Sequence, residues 1–328
     1  MITFFASNQS MSVGSYRIWV NDLSYYLNFC RITNNITNKA NIAVEDNSSV
    51  IILAKSDASY LSFFKKACPY KKIGIINLSA DSELKPDFVI AGSIEECSSL
   101  SHHSNVFLYP LIEKLYQEQQ DYKTHKDNDC LRIGFHGSYT HLSKFKHGLC
   151  DAINIFSKTN DIELLVLTSN PSYSWIKGKP EGINIITKKW DIKTIKKDLL
   201  SCDIGVVPNT TMIPVDKNNM NLSTNEGRYN TDYILRFKNK SNAGRSFVFH
   251  QLGIPVISDL TPSNLHIMGD PRCGYIASNV DDWLKSLYYL KDFKHRQYIA
   301  DNAKKEFDRL YDPISWTTRL YKSLMEIR

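Results

Sequence analysis

The stretch RFKNKSNAGRSFVFHQLGIPVIS, residues 236–258, contains the pattern that decides the fold: a helical segment, a glycine and a short buried strand. Gly253 suits the position just after a helix end, and Pro255 begins the next strand. A helix that leads at once into a buried strand is typical of a repeating βα fold. The residues suited to the start of this helix are Ser241, Asn242 and Gly244.

Cations gather where this helix begins. Arg236, Lys238, Lys240 and Arg245 lie within ten residues that contain no acid. A helix start offers unpaired N–H groups and the positive end of a dipole, so it favours phosphate and disfavours an unpaired cation. A bound phosphate would resolve that mismatch. The alternative is a basic loop in solvent.

Outward from this stretch, short apolar runs alternate with amphipathic segments along most of the chain. Runs of this length, rich in Val, Ile and Phe and separated by helices, predict parallel sheets covered on both faces. The sequence therefore predicts an α/β protein. The expected strands are 2–7, 49–55, 72–78, 87–92, 105–110, 130–137, 162–169, 183–190, 202–209 and 253–258.

The pattern breaks once and then restarts. Residues 112–129 are mostly polar and charged, which predicts a linker between an N-terminal domain, 1–111, and a C-terminal domain, 130–305. A helix is predicted over 141–157, with apolar residues spaced three and four apart. Residues 210–233 are polar and lack periodicity, so they are interpreted either as a lid or as a disordered insertion.

Composition limits the function classes. The chain has 328 residues with 40 basic and 34 acidic ones, a net charge of +6, which is too mild for a dedicated nucleic-acid binder. It suits a phosphorylated ligand or an anionic membrane surface. The seven cysteines form no CxxC pair, which favours reduced thiols. No signal peptide and no run of 18 apolar residues is present, so we expect a soluble, cytoplasmic protein.

The segment GRSFVFHQLGIPVIS (244–258) resembles the nucleotide-binding half of the GT-B glycosyltransferases. So do LRIGFHGSYTHL (131–142) and KKWDIKTIKKDLLSCDIGVVPN (188–209). SVGSYRIWVNDLSYYL (12–27) resembles the first loop and helix of the acceptor half, and PDFVIAGSIEE (86–96) and FLYPLIE (107–113) resemble its last strands. The last segment, YDPISWTTRLYKSL (311–324), resembles the helix that crosses back to the N-terminal domain, here 306–328.

The resemblance implies two Rossmann-like domains facing a cleft, with a nucleotide-sugar donor and no cofactor. The sequence departs from one subgroup of the family. Many retaining members have two acids eight residues apart, and Lys240 and Val248 stand in those places. Whether the sugar keeps or inverts its configuration is therefore left open. No DxD motif stands where a metal would be expected, so we predict metal independence.

The resemblance also assigns roles to single residues. Arg245 and Lys240 would stabilise the donor phosphates, because the planar fork of an arginine can hold two phosphate oxygens. Arg17 is either a phosphate contact or an ordinary residue on a helix surface, and Trp190 either contacts the nucleoside or packs in the core. The further phosphate-binding residues are Gly137, Ser138, Ser241 and Asn242; the nucleoside contacts are Pro208, Asn209 and Trp190; the loop facing the donor comprises Gly14, Ser15, Tyr16 and Arg17.

An inverting member needs a general base on the acceptor side. Asp57 and Asp81 follow predicted strands at the ends that face the cleft, whereas His136 lies in a turn and could contact the sugar instead. A residue of this kind is more often a cap, a turn residue or a satisfied polar group, and that alternative stays open for each of the three. His136 and His141 have no further ligands nearby in sequence, so no metal site is predicted.

The expected function is transfer of a sugar to a glycan or lipid-linked acceptor in bacterial surface polysaccharide assembly, such as lipopolysaccharide or capsule. SYLSFFKKACPYKK (59–72) either docks at the inner face of the cytoplasmic membrane or forms an ordinary amphipathic core helix. The alternatives are a nucleotide-sugar epimerase of the same fold, which would consume donor without an acceptor, and a nucleotide- or glycan-binding module that has lost catalysis. Nucleic acid is not an expected partner.

Overall fold

The computed structural model describes residues 1–117, 121–172, 175, 178–209 and 242–327. The chain divides into two compact units. The first comprises Met1–Gln120, Asn242–Val248 and Phe307–Arg328, and the second comprises Asp121–Ser241 and Phe249–Glu306.

The first unit is built on a parallel sheet with strand order β2-β1-β3-β4-β5-β6 among the described residues. Its four central strands are buried on both faces. Alternate residues of the strand Val50–Leu53 enter opposite core clusters: Val50 and Ile52 in one, Ile51 and Leu53 in the other. That is the environment a parallel strand requires. The strands are β1 Ile2–Phe5, β2 Asn34–Thr37, β3 Val50–Leu53, β4 Lys72–Ile76, β5 Phe88–Ala91 and β6 Val106–Leu108.

Helices cover both faces of this sheet. Arg17–Asp22 is a π-helical turn, a rare geometry that interrupts the helical segment beginning at Gly14. A 3₁₀ helix follows β3 at Lys55–Tyr60, and another lies at Lys114–Tyr116. The α-helices are α1 Gly14–Tyr16, α2 Leu23–Phe29, α3 Ala40–Glu45, α4 Leu61–Ala67 and α5 Ile94–Ser99.

The second unit repeats the plan with strand order β12-β11-β10-β7-β8-β9, again parallel within the described residues. Two βα units with parallel sheets confirm the predicted α/β architecture. The strands are β7 Leu131–Gly137, β8 Ile162–Thr168, β9 Asn184–Lys189, β10 Ile204–Val207, β11 Val256–Asp259 and β12 Tyr275–Ala277.

The helix predicted over 141–157 is broken. A 3₁₀ helix occupies Tyr139–Lys146 and an α-helix occupies Leu149–Phe156. Between them Gly148 has φ 97°, a conformation that a helix interior does not contain and that favours glycine. The apolar residues of the predicted pattern are buried all the same, so the pattern identified the core face but missed the break. They are Leu142, Phe145, Leu149, Ile153 and Phe156.

The remaining α-helices of the described residues lie between Leu149 and Met325. They are α6 Leu149–Phe156, α7 Ile195–Leu200, α8 Gly244–Gln251, α9 Pro262–Met268, α10 Val280–Tyr289, α11 Phe293–Leu310 and α12 Pro313–Met325. Helix α8 ends as predicted, with Gly253 at φ 70°. Helix α12 packs against α2, and its Leu320 and Leu324 join the core cluster of the first unit that contains Leu23 and Leu27.

Residues 121–129, part of the predicted linker, are hydrogen-bonded to the rest of the second unit. Lys123 N–H donates to the Leu252 carbonyl (2.9 Å), and His125 N–H donates to Gln297 Oε1 (2.8 Å). Arg296 is fully buried, and its guanidinium donates to the carbonyls of Leu290, Lys291 and Lys126. The backbone of these residues therefore hydrogen-bonds within that unit.

Candidate functional site

Strand β7 ends in a turn that carries three of the predicted site residues. His136 is buried, and its ring packs edge-on against Phe249 with centroids 5.0 Å apart. Gly137 has φ 140°, which favours glycine, and Ser138 caps the following 3₁₀ helix by accepting a hydrogen bond from Thr140 N–H (3.4 Å). The turn therefore places a histidine, a glycine backbone and a hydroxyl together at the carboxyl end of β7.

Strand β10 ends at the same edge of the sheet. Asn209 is buried, and its N–H donates to Asp259 Oδ2 (2.7 Å) at the end of the neighbouring β11. Pro208 precedes it. Asp259 was not singled out by the sequence analysis. The signal that could have found it is an acid directly after an apolar strand, because carboxyl ends of adjacent parallel strands meet at one edge.

Trp190 directly follows β9 and therefore lies at this carboxyl edge too. Its N–H donates to the carbonyl of Thr168, the last residue of β8 (2.8 Å). The side chain is half-buried and lies outside the core cluster of the second unit. Of its two predicted roles, core packing is the one that this position disfavours.

The start of helix α8 belongs to the first unit. Asn242 Oδ1 accepts a hydrogen bond from Gly244 N–H (3.2 Å), and its Nδ2 lies 3.5 Å from Glu96 Oε1. Arg245 is the second residue of the helix and is half-buried. The other predicted phosphate ligands here, Lys240 and Ser241, lie outside the described residues, as does the segment 210–233.

Glu96 is a buried carboxylate that sequence reasoning missed. Its Oε2 accepts a hydrogen bond from Gly92 N–H (2.8 Å), and its own N–H donates to Ser93 Oγ (3.1 Å), which caps α5. Burial raises the pKa of the Glu96 carboxyl, and the hydrogen bonds from Gly92 and Asn242 oppose that shift. Ser-x-x-Glu is a helix-capping pattern, so the sequence did carry a signal for its local role.

The predicted bases on the first unit differ in environment. Asp57 is 2% exposed in the 3₁₀ helix after β3, and its Oδ2 accepts hydrogen bonds from Ser7 N–H (3.2 Å) and Ser56 Oγ (3.0 Å). It thereby links the carboxyl ends of β1 and β3. Asp81 is exposed in the loop after β4. The two acids therefore lie on the same unit, one buried and one open to solvent.

The loop predicted to face the donor forms the start of the first helical segment. Gly14 opens α1, Ser15 is half-buried and Tyr16 joins the core. Arg17 is buried, and its Nη2 donates to Glu113 Oε2 (2.7 Å) while Nη1 donates to the Met11 carbonyl (3.1 Å). Arg17 is therefore not an ordinary residue on a helix surface, because its charge is paired inside the unit.

A second acid lies near this ion pair. Asp22, the last residue of the π-helical turn, accepts a hydrogen bond from Lys114 N–H (3.1 Å) at Oδ2. Burial raises its pKa to about 6, and the negative charge of Glu113 adds to the shift. Three buried ionisable side chains, those of Arg17, Asp22 and Glu113, therefore lie near the start of the first helical segment.

Two absences hold for the described residues. No group of three or more His, Cys, Asp or Glu side chains is placed to hold a metal ion. In the same part of the chain, no helix combines the length and apolar character needed to span a membrane.

No family model matches the chain, and no curated protein matches it by sequence. Solved structures do match by fold. Anabaena HepE, solved with UDP and glucose, superposes with a TM-score of 0.63 at 10% identity over 99% of both chains. The lipopolysaccharide outer core galactosyltransferase WaaB superposes with a TM-score of 0.59 at 12% identity, also over 99% of both.

A third similar structure is larger. S. aureus TarM, solved with fondaparinux, α-GlcNAc-glycerol and UDP, has a TM-score of 0.56 at 12% identity. The match covers 84% of this chain but 55% of TarM, so this chain spans about half of that protein. At these identities the likeness shows the fold, and the fold is that of the GT-B glycosyltransferases.

Proposed function

We propose that this protein is a glycosyltransferase that moves a sugar from a nucleotide-sugar donor to a glycan or lipid-linked acceptor in polysaccharide assembly. One observation carries the proposal: the carboxyl edge of the second sheet gathers the turn His136–Ser138, the buried Asn209 backbone held by Asp259, and Trp190. Open α/β sheets bind ligands at this edge.

The proposed donor is a UDP-sugar. TarM and HepE were both solved with UDP, and they share this fold. We propose that the glycine turn at Gly137 offers backbone N–H groups to the diphosphate. Arg245, in the first turn of α8, stays a predicted phosphate ligand, since an arginine fork can hold two phosphate oxygens. As the bond between the sugar and the phosphate breaks, negative charge grows on the leaving oxygen, and such donors stabilise it.

The acceptor hydroxyl must lose a proton while it attacks the sugar. Asp57 is the first proposed base and Asp81 the second, whereas His136 is proposed to contact the sugar. General base catalysis contributes about 100-fold or more, so Asp57→Asn is expected to lower turnover by about that factor. Asp87→Asn is the control, because Asp87 also accepts a backbone N–H, that of Ile73 (2.7 Å), but precedes β5 at the opposite edge.

The test is release of UDP from UDP-glucose, UDP-galactose and UDP-GlcNAc, with and without glycan acceptors and in excess EDTA. Acceptor-dependent release that survives EDTA supports a metal-independent transferase. Donor consumption that is the same with and without acceptor indicates an epimerase. Binding without any turnover indicates a module that has lost catalysis. Wild-type rates in Asp57→Asn remove that residue from the list of bases.

We also propose peripheral contact with the cytoplasmic membrane face. Helix α4 buries Leu61 and Phe64 but leaves Phe63 48% exposed, and Tyr60 (40%) and Tyr70 (74%) flank it beside the exposed Lys66. Aromatic rings with interspersed cations suit an anionic lipid surface. Co-sedimentation with vesicles containing phosphatidylglycerol is expected, and it should weaken in Phe63→Ser. Equal sedimentation of wild type and Phe63→Ser would contradict the proposed surface.

A further inference from the structure

The Asp259 side chain holds the backbone of Asn209, just beyond the end of β10. The ladder between β10 and β11 ends with the pair Val207 and Ser258. Two residues further on, Asn209 N–H donates to Asp259 Oδ2 at 2.7 Å, and the two residues are 6% and 7% exposed. A hydrogen bond to an ionised acceptor is about twice as strong as one between neutral groups. The Asp259 side chain therefore helps to hold the chain where it leaves β10.

Further hydrogen bonds support the contact between Asn209 and Asp259. Ser258 Oγ donates to the Val207 carbonyl (3.1 Å) and accepts from Asn264 Nδ2 (2.6 Å). Asn264 lies in α9, and Thr261 caps that helix by accepting from Asn264 N–H (3.3 Å). The ends of β10 and β11 and the first turn of α9 are therefore tied by one buried polar network.

Packing alone does not account for this network. Asn264 is 1% exposed, and its Oδ1 has no hydrogen-bond partner among the described residues. A buried polar group without a partner costs about 1–3 kcal/mol, and an apolar side chain would avoid that cost. The network is thus more polar than stability requires, and it stands at the edge where α/β sheets bind ligands.

We propose that Asp259 is a positioning residue of the donor site. Its carboxylate sets the backbone of Asn209, and through it the end of β10 that meets the nucleoside of the donor. The inference rests on the proposed function, because it assigns a supporting residue to that same site. Asp259 acts through Asn209 and does not itself touch the donor.

The second unit offers a matched control. Asp203, at the start of β10, is 2% exposed and accepts a hydrogen bond from Arg132 N–H (3.0 Å). It is a buried carboxylate with a backbone donor, as Asp259 is, but it lies at the amino edge of the sheet. Loss of either carboxylate should lower stability. Only loss of Asp259 should change donor binding.

The experiment is calorimetric titration of UDP into wild type, Asp259→Ala, Asp259→Asn and Asp203→Asn, each checked for a cooperative melting transition. Loss of the Asn209 contact should weaken UDP binding by about tenfold or more in Asp259→Ala. Asp259→Asn keeps an acceptor oxygen and should recover to within about threefold of wild type. Asp203→Asn should bind as wild type does. For Asp259→Ala, the KM for donor should rise more than kcat falls.

Wild-type affinity in a folded Asp259→Ala variant would overturn the inference, and so would equal losses in Asp259→Asn and Asp259→Ala. If Asp259→Ala does not fold, Asp259→Glu replaces it, because it keeps the charge but moves the oxygen by one methylene. That variant should also weaken UDP binding, and unchanged affinity would again overturn the inference. No binding of any nucleotide by wild type would instead contradict the proposed function and, with it, this inference.

Discussion

At the residue scale, Arg17 shows which structural features a local sequence pattern can predict and which it cannot. The segment around it predicted a loop followed by a helix. The helix is present, but it begins at Gly14, so the residues assigned to the loop are helical. Its partner Glu113 lies 96 residues away, and the buried contact between them is a tertiary event that no local pattern encodes. Asp57 and Asp259 are similar cases. Their positions at strand ends could be predicted, but the backbone donors they hold, Ser7 and Asn209, could not.

The Arg17–Glu113 pair should contribute to stability through its burial. The side chains are 6% and 11% exposed, and removing one partner leaves an uncompensated charge, at a cost of about 3–5 kcal/mol. Arg17→Met should therefore lower the free energy of unfolding by about that amount in a urea titration. The double variant Arg17→Met, Glu113→Gln should recover most of it. A single variant as stable as wild type would show that the pair is open in solution.

At the element scale, the sequence located ten of the twelve described strands and missed one edge strand of each sheet. β2 and β12 each lie at one edge of their sheet, and neither was predicted. β2 reads NNIT and has one fully buried residue, so it lacks the apolar run that identified the central strands. The break at Gly148 was missed for a related reason: apolar spacing reports which face is buried and carries no information on φ.

Gly14 allows stability and function to be separated. A Cβ at this position would lie 3.9 Å from Ile18 Cδ1, an ordinary contact, so Gly14→Ala should change the free energy of unfolding by less than about 0.5 kcal/mol. Because the loop is expected to approach the donor closely, turnover should fall all the same. The measurement pairs urea titration with release of UDP.

Gly205→Ala is the contrasting variant. There a Cβ would lie 2.6 Å from the ring of Phe249, where α8 packs on β10, and overpacking costs about 1–3 kcal/mol.

Unchanged turnover in Gly14→Ala would remove its loop from the donor site. A destabilised Gly14→Ala would show that its glycine is needed for the fold.

At the scale of the whole molecule, acid should destabilise the second unit through buried histidines. Desolvation lowers the pKa of His250 to about 3 and that of His125 to about 4. Below the ordinary pKa of about 6.5 the unfolded chain binds protons that the folded chain does not, so stability is full above that pH and is lost as pH falls. Asp22, with its raised pKa, contributes with the opposite sign in the first unit.

His250→Leu isolates one of these groups, because neither ring nitrogen of His250 has a hydrogen-bond partner among the described residues. Unfolding free energies of wild type and variant are compared by urea titration at pH 7.5 and pH 5.0. The variant should lose less stability on acidification, by about 1.4 kcal/mol for each pH unit below 6.5. Identical losses would mean that His250 reaches water or a partner in the folded protein.

Both units of the fold could be predicted from the sequence, because each consists of short apolar strands that alternate with amphipathic helices. The proposed donor site could be predicted only in outline, because its candidate residues come from the ends of several strands that lie far apart in the sequence.

The most direct test of the central claim is calorimetric titration of UDP into the purified protein in the presence of EDTA. We expect saturable binding that weakens by about tenfold in Arg245→Ala, because a forked phosphate contact is lost. Absence of binding for UDP, and equally for GDP, CMP and dTDP, would contradict the assignment of a nucleotide-sugar donor to this fold.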